Sequence, residues 1–438
     1  MRRVLLVCAL AGILVVAGGV GLLNGGADQP DPAQPNVDPA VLLQLRGDDL
    51  AATVATLQDH LRAQPADGRG WATLGLAYVE MARLSGDASF YPKADAALGR
   101  SLDLTPVDND LALAGQAALA AARHEFSLAL RHSRAALAVN PYQPQALAVQ
   151  VDALTELGRY QAQLTALAQA DRRQPGVPVF ARYSYAAELR GHLGRAEQLL
   201  RRALEGTSSS ADRAYLLTLL ADLERLSGHL RSAQDLLREA LRQSPEYVPA
   251  LASRARLAVA RGDLTSAEVA WENVTSRLPL PEYLIELGEL QIATGHPDLA
   301  AQQFSLLEAT ETLLRSNGVR TDLETTLYEA DHGSAAAALR TARAEWSRRN
   351  SVHVADALGW ALHVNDKDTA ALRLAVRATR LDTPVATFWI HRGLIEESLG
   401  RSQAAEAHLR RGLALDPGLS PWQAERARDA LHRLVRSR

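Results

Sequence analysis

From about residue 68 onward, hydrophobic positions recur with helical spacing, and glycine and proline interrupt them at regular distances. Ala196, Leu199, Leu200, Ala203 and Leu204 fall at i, i+3, i+4, i+7 and i+8, which is one face of a helix. Ala233, Leu236, Leu237, Ala240 and Leu241 repeat that face one period later. The interruptions form two ladders. Gly158, Gly191, Gly228, Gly262 and Gly295 are separated by 33, 37, 34 and 33 residues. Pro141 and Pro175 are 34 residues apart, as are Pro245 and Pro279. Glycine ends a helix in a left-handed cap that other residues adopt only with strain. Proline stops the next helix, because it lacks an N–H and clashes with the preceding turn. Each period therefore predicts a helix, a tight turn, a second helix and a stop. A pair of short helices cannot bury its apolar faces alone, so successive pairs must stack.

These units resemble tetratricopeptide repeats. Trp71, Leu74, Gly75 and Tyr78 match the first half of that family's 34-residue pattern. Ala94, Leu98, Ser101 and Pro106 continue it after a short insertion. Trp389, Gly393, Ala405, Leu409 and Pro417 match again near the end, with partial matches between, at Ala129, Ala136 and Pro141, at Ala267, Trp271 and Pro279, and at Leu358, Gly359, Ala371 and Ala378. The resemblance implies an all-α fold: an α-solenoid of about ten helix-turn-helix units in a right-handed superhelix. Small residues take the positions where helices cross closely. Ala309–Asn350, which lacks a clear proline, and Gly206–Ser210 depart from the pattern. Asp49–Ala63 reads as a lone helix before the array. Ser420–Arg436 reads as a capping helix, with Trp422, Ala427, Leu431 and Leu434 inward and Arg426, Arg428, Arg433 and Arg436 outward.

The start of the chain has a different pattern. After Met1-Arg2-Arg3, residues Val4–Leu23 carry no charge, and an Asp/Pro/Gly-rich stretch follows. Such a segment is either a membrane anchor or an export signal cleaved near Ala27. The positive-inside rule keeps Arg2 and Arg3 in the cytoplasm and places the rest outside it. The expected organisation is an anchor or signal over residues 1–27 and a flexible tether over 28–48. The solenoid then covers 49–418 and the cap 419–438.

Composition narrows the function. Of the 438 residues 47% are hydrophobic but only 5% aromatic, which agrees with Ala- and Leu-rich helices. The single cysteine, Cys8, lies in the apolar segment, and this excludes a disulfide scaffold or a cysteine-rich metal module. Net charge is −3, so no global basic field attracts nucleic acid. No phosphate-binding loop, dinucleotide fingerprint, nucleophile elbow or H-E-x-x-H motif occurs. His192, His229 and His296 follow ladder glycines and read as exposed turn residues. His353 and His363 are ten residues apart, roughly 15 Å along a helix, too far to share a metal ion. Asp331-His332-Gly333 reads as a helix-ending turn. The pairs Arg172-Arg173, Arg201-Arg202, Arg348-Arg349 and Arg410-Arg411 read as solvated faces. No catalytic residue, metal site or cofactor is expected, and no small-molecule substrate.

What the resemblance implies instead is a concave groove, lined by positions 2, 5, 9 and 12 of each unit's first helix. Carried onto this sequence, the richest stripe is His353, Asp356, Trp360 and His363. Others contain Tyr185 and Glu188; Tyr215, Thr218, Asp222 and Arg225; and Glu282, Ile285, Glu289 and Ile292. Aromatic and charged side chains together suit a peptide. The expected function is a non-enzymatic scaffold that binds a peptide or protein at the cell envelope. Leu57–Tyr78 also resembles the start of the tetratricopeptide domains of c-type cytochrome maturation proteins, which implies a chaperone of apoproteins as an alternative. A regulatory subunit of an envelope enzyme is a further one.

Overall fold

The computed structural model describes residues 47–436, and the expectations for residues 1–46 lie outside them. Helix α1 (Gly47–Ala63) precedes the helix pairs and packs its buried leucines against the first of them. Ten helix pairs follow among the described residues. Unit 1 is α2 (Gly68–Ser85) with α3 (Phe90–Leu104), and unit 2 is α4 (Asp110–Ala122) with α5 (Phe126–Val139). Unit 3 is α6 (Pro144–Glu156) with α7 (Tyr160–Arg173), and unit 4 is α8 (Val177–Glu188) with α9 (Leu193–Glu205). Unit 5 is α10 (Ser210–Leu226) with α11 (Leu230–Gln243), and unit 6 is α12 (Val248–Ala260) with α13 (Leu264–Arg277). Unit 7 is α14 (Pro281–Ala293) with α15 (Pro297–Ser316), and unit 8 is α16 (Asp322–His332) with α17 (Ala335–Arg348). Unit 9 is α18 (Val352–His363) with α19 (Asp368–Ala378), and unit 10 is α20 (Ala386–Ser398) with α21 (Ser402–Leu415). A last helix, α22 (Pro421–Arg436), ends the described chain. Among the described residues, no helix is long and apolar enough to cross a membrane.

The punctuation acts as its chemistry requires. Gly158 and Gly228 sit at φ 71° and 80°, in the left-handed region where a Cβ is strained. The ladder prolines follow the second helices by two residues: α7 ends at Arg173 before Pro175, and α13 at Arg277 before Pro279. In the irregular stretch, α15 runs for 20 residues to Ser316, and Asn317-Gly318 turns the chain toward α16. Within a unit the small positions let the pair close. A Cβ at Gly288 would lie 2.5 Å from the Phe304 ring, and one at Gly393 2.7 Å from Leu409 Cγ. On α9, Ala196, Leu199, Leu200 and Ala203 are buried, and each such leucine contributes roughly 1.5–3 kcal/mol on leaving water.

A second level of packing joins units far apart in sequence. The turn inside each early unit lies against the loop that follows the fifth unit after it. Arg320 N–H donates to the Arg123 carbonyl at 3.1 Å. Val352 N–H donates to the Tyr160 hydroxyl at 2.8 Å, and the Thr383 hydroxyl donates to the Leu189 carbonyl at 2.7 Å. Arg349 donates to Glu156, and Arg225 donates to Asp416. The side-chain bonds among these bridge 191 to 194 residues, so the register is nearly constant. A repeat array with such a register winds through one superhelical turn in about five and a half units, and units 6–10 rest directly on units 1–5. Arg349 is therefore buried, where its arginine pair had suggested a solvated face. Between Glu156 and Glu345, its guanidinium also lies 4.9 Å from the Phe126 ring centroid.

The inner faces carry a continuous apolar core among the described residues. The largest apolar cluster runs from Tyr160, Tyr185 and Tyr215 through Ile285, Leu327 and Val352 to Phe388, Ala427 and Leu434. It combines inner positions of the early and late units with the C-terminal helix.

Candidate functional site

The first helices of the late units carry the richest inner stripe, and the structure places α22 across them. Gln423, on α22, donates from Nε2 to Asp331 of α16 at 3.2 Å and lies 3.4 Å from Glu289 Oε1 of α14. Arg426 Nη1 donates to Asp331 Oδ1 at 2.8 Å, and its guanidinium sits 4.3 Å from the ring centroid of Trp360 on α18. Arg433 donates to both carboxylate oxygens of Glu397 on α20, each at 3.0 Å. A single helix thus touches the first helices of four consecutive units. Three of its contacts, Glu289, Trp360 and Glu397, are positions 9, 9 and 12 of their units. Arg426 faces inward, contrary to its reading as an outward-facing cap residue. Its four-residue offset from Trp422 places both side chains toward the groove, and Trp422 packs 4.6 Å from the His332 ring.

Around this helix the groove is a polar cluster in an apolar wall. Asp331 has no exposed side-chain surface and also accepts from Trp360 Nε1 at 2.9 Å. Glu289 is equally buried, with His332 Nε2 3.3 Å from its Oε1. Burial alone would push the Glu289 carboxyl up; the hydrogen bond and charge of His332 outweigh it and hold the group below the usual carboxylate range. The Ser420 hydroxyl lies near enough to assist, yet no hydrogen bond of ordinary geometry reaches Glu289 Oε2. Gln423 Oε1 is buried and unpartnered as well.

The neighbouring residues of unit 9 are engaged internally. Trp360 is fully buried and stacks on His391 with ring centroids 4.1 Å apart and planes 7° from parallel. Asp356 orients that imidazole through His391 Nδ1 at 3.0 Å. His353 is 2% exposed, packs edge-on against Phe388, and burial drives its pKa down to about 3, so it is neutral. His363 lies against Trp360 and pairs with Asp368. The structure therefore brings Asp356, Trp360 and His363 together around one aromatic stack, with His353 beside it.

The early stripes meet the returning chain. Tyr185 and Tyr215 are buried in the shared apolar cluster, and Glu188 at the end of α8 is half-buried. Arg225 lies 3.5 Å from Asp222 and donates to Asp416, just before α22. Asp222 accepts from the Ser253 hydroxyl at 2.8 Å. Asp331, His332 and Gln423 belong to the candidate site, although none is among the inner-stripe positions read from the sequence. The first two resembled an ordinary helix-ending turn, and Gln423 lies outside the repeats. Among the described residues, no group of three or more His, Cys, Asp or Glu side chains is placed to hold a metal ion.

Residues 386–419, which are unit 10 with the loop after it, match the tetratricopeptide repeat family. Unit 10 is thus a tetratricopeptide repeat, and the helix pairs of the described residues form a solenoid of that type. The fold is that of a protein-interaction scaffold. No curated protein matches the sequence. Among solved structures, the chain is 20% identical to a tetratricopeptide repeat protein from Parabacteroides merdae, with 59% of this chain and 98% of the other covered and a TM-score of 0.35. It is 23% identical to a thermophilic tetratricopeptide repeat protein, TTC0263, of Thermus thermophilus, over 44% of this chain and 97% of that one, TM-score 0.38. It is 14% identical to a human IFIT1 dimer with PPP-AAAA, over 93% of this chain and 94% of that one, TM-score 0.46.

Proposed function

We propose that this protein is a non-enzymatic scaffold of the cell envelope that holds a peptide or protein segment in the concave groove of units 7–10. Its N-terminal apolar segment keeps it at the membrane or directs its export, with the repeats outside the cytoplasm. One observation carries the reading: the groove already receives a helix, α22, on inner-stripe residues Glu289, Trp360 and Glu397. An inner face that binds a helix from its own chain has the shape and polar anchors for a helix-in-groove partner.

A photo-cross-linking residue placed at Glu397 or His363, both half-buried, tests this in intact cells. Specific polypeptides cross-linked there, and not from the convex positions Arg340 and Arg373, are the expected result. No groove-specific product from either site overturns the reading. Recovery of c-type apocytochromes would narrow the scaffold to a cytochrome maturation chaperone. N-terminal sequencing of the mature protein addresses the first segment: Met1 retained marks an anchor, and a start at Asp28 a cleaved signal.

A further inference from the structure

The contact between α22 and the groove is incomplete in a specific way. Two buried carboxylates, Glu289 and Asp331, face the helix, and α22 offers them one guanidinium, Arg426, and one amide, Gln423. His332 is the other donor at Glu289. The Gln423 amide reaches both carboxylates only at 3.2 and 3.4 Å, near the outer limit of a hydrogen bond. Glu289 Oε2 has no well-formed donor, and the Gln423 carbonyl oxygen is buried where no donor meets it. A buried acceptor without a donor is a free-energy cost that a better ligand removes. The rest of the α22 face is modest: Ala424, Ala427, Ala430 and Leu434 are its buried apolar residues, and three of the four are alanine.

We infer that α22 is a built-in, imperfect stand-in for the partner, and that the partner is a basic amphipathic helix with a cationic side chain where α22 has Gln423. This rests on the groove reading above and names its ligand class. An arginine or lysine at that place donates to Glu289 and Asp331 together, forming charge-assisted bonds in place of two marginal amide contacts. A second basic residue three positions on takes the Arg426 role over Trp360, and a third reaches Glu397 as Arg433 does. Small residues on the same face let the helix lie as close as α22 does. Because α22 is tethered, it competes at a high effective concentration. A weak intramolecular occupant thus keeps the apolar floor covered until a helix with the better cation arrives.

The test uses the full chain and two labelled synthetic helices that span residues 419–438, one with the natural sequence and one carrying Gln423→Arg. Fluorescence anisotropy should show the Gln423→Arg peptide binding at least tenfold more tightly than the natural one. A Glu289→Gln chain, checked for native helicity by circular dichroism, should lose most of that preference. Introducing Gln423→Arg into the full chain should strengthen its own α22 and weaken binding of either peptide. Equal affinity of the two peptides, or a preference that survives Glu289→Gln, overturns the inference. If the Glu289→Gln chain does not fold, the full-chain Gln423→Arg variant decides alone: unchanged peptide binding there refutes the stand-in role. Groove-specific cross-links in cells, together with failure of these peptides, would leave the scaffold reading standing and remove only the basic-helix partner.

Discussion

Arg349 donates to Glu156 across 193 residues of sequence, and the pair joins the second turn of the superhelix to the first. Both side chains are almost wholly buried, and Glu345 holds the other edge of the same guanidinium. Removing one partner of a buried pair leaves the other charge uncompensated and costs about 3–5 kcal/mol. Arg349→Ala should therefore destabilise the seam strongly. Long repeat arrays need not unfold in one step, so the informative measurement is hydrogen exchange. Protection should fall first in the two segments the pair joins, near residues 156–160 and 349–352. A loss confined to α17 and α18, with the unit 3 turn unchanged, would mean that the turns are not coupled there.

The same seam separates glycines that look equivalent. Gly158 and Gly228 both cap a first helix with positive φ. A Cβ at Gly158 would lie 2.6 Å from the Asn350 carbonyl oxygen, on backbone of the opposing turn, whereas one at Gly228 meets open space. Gly228→Ala should cost about 1 kcal/mol, the strain of a left-handed alanine. Gly158→Ala carries the same strain and must also push the turns apart, so its loss should be at least twice as large. Parallel thermal unfolding of the two variants measures the difference.

Much of the architecture is legible in the sequence because it is local. The glycine ladder marks the left-handed caps, the prolines mark the ends of second helices, and Gly393 marks a close crossing. Contacts between superhelical turns have no such signature. Nothing next to Arg349 distinguishes it from Arg348, and only the winding of the array puts one in the seam and the other at its edge. The groove is partly legible for a related reason. The spacing of Trp360, Asp356 and His363 places them on one inner face. What covers that face depends on the path of the chain after Pro417, and no repeat pattern encodes it.

Burial also predicts a pH dependence. Glu324, on the first helix of unit 8, is pushed up to about 8 by burial, with Arg349 opposing and Glu282 and Glu345 adding to the shift. A carboxyl whose folded pKa lies above its ordinary 4.5 holds a proton that the unfolded chain has released. Its contribution is therefore greatest below pH 4.5 and declines as pH rises to about 8. Glu324→Gln keeps the site neutral at every pH. The variant should be more stable than wild type at pH 8.5 by about 1 kcal/mol or more, and the gap should close toward pH 4.5. Thermal midpoints across this range test the sign, and a variant that loses stability as pH rises just as wild type does would remove Glu324 as the cause.

Arg426 and Arg428 lie two residues apart on α22 and separate two accounts of that helix. Were α22 only a cover for the last unit, both arginines would be solvated and interchangeable. Instead Arg426 donates to fully buried Asp331 and lies over the Trp360 and Trp422 rings, while Arg428 is exposed. A charge-assisted bond of this kind contributes roughly 1.5–3 kcal/mol. Arg426→Ala should therefore release α22 locally without unfolding the array, because a terminal helix can open by itself. Trypsin should then cut after Arg428 and Arg433 several-fold faster, and exchange protection over residues 421–436 should fall. The overall melting temperature should change little, since units 1–10 keep their own contacts. Arg428→Ala should leave exchange protection over the helix as in wild type. Equal behaviour of the two variants would mean that the Asp331–Arg426–Trp360 contact does not hold the helix in the groove.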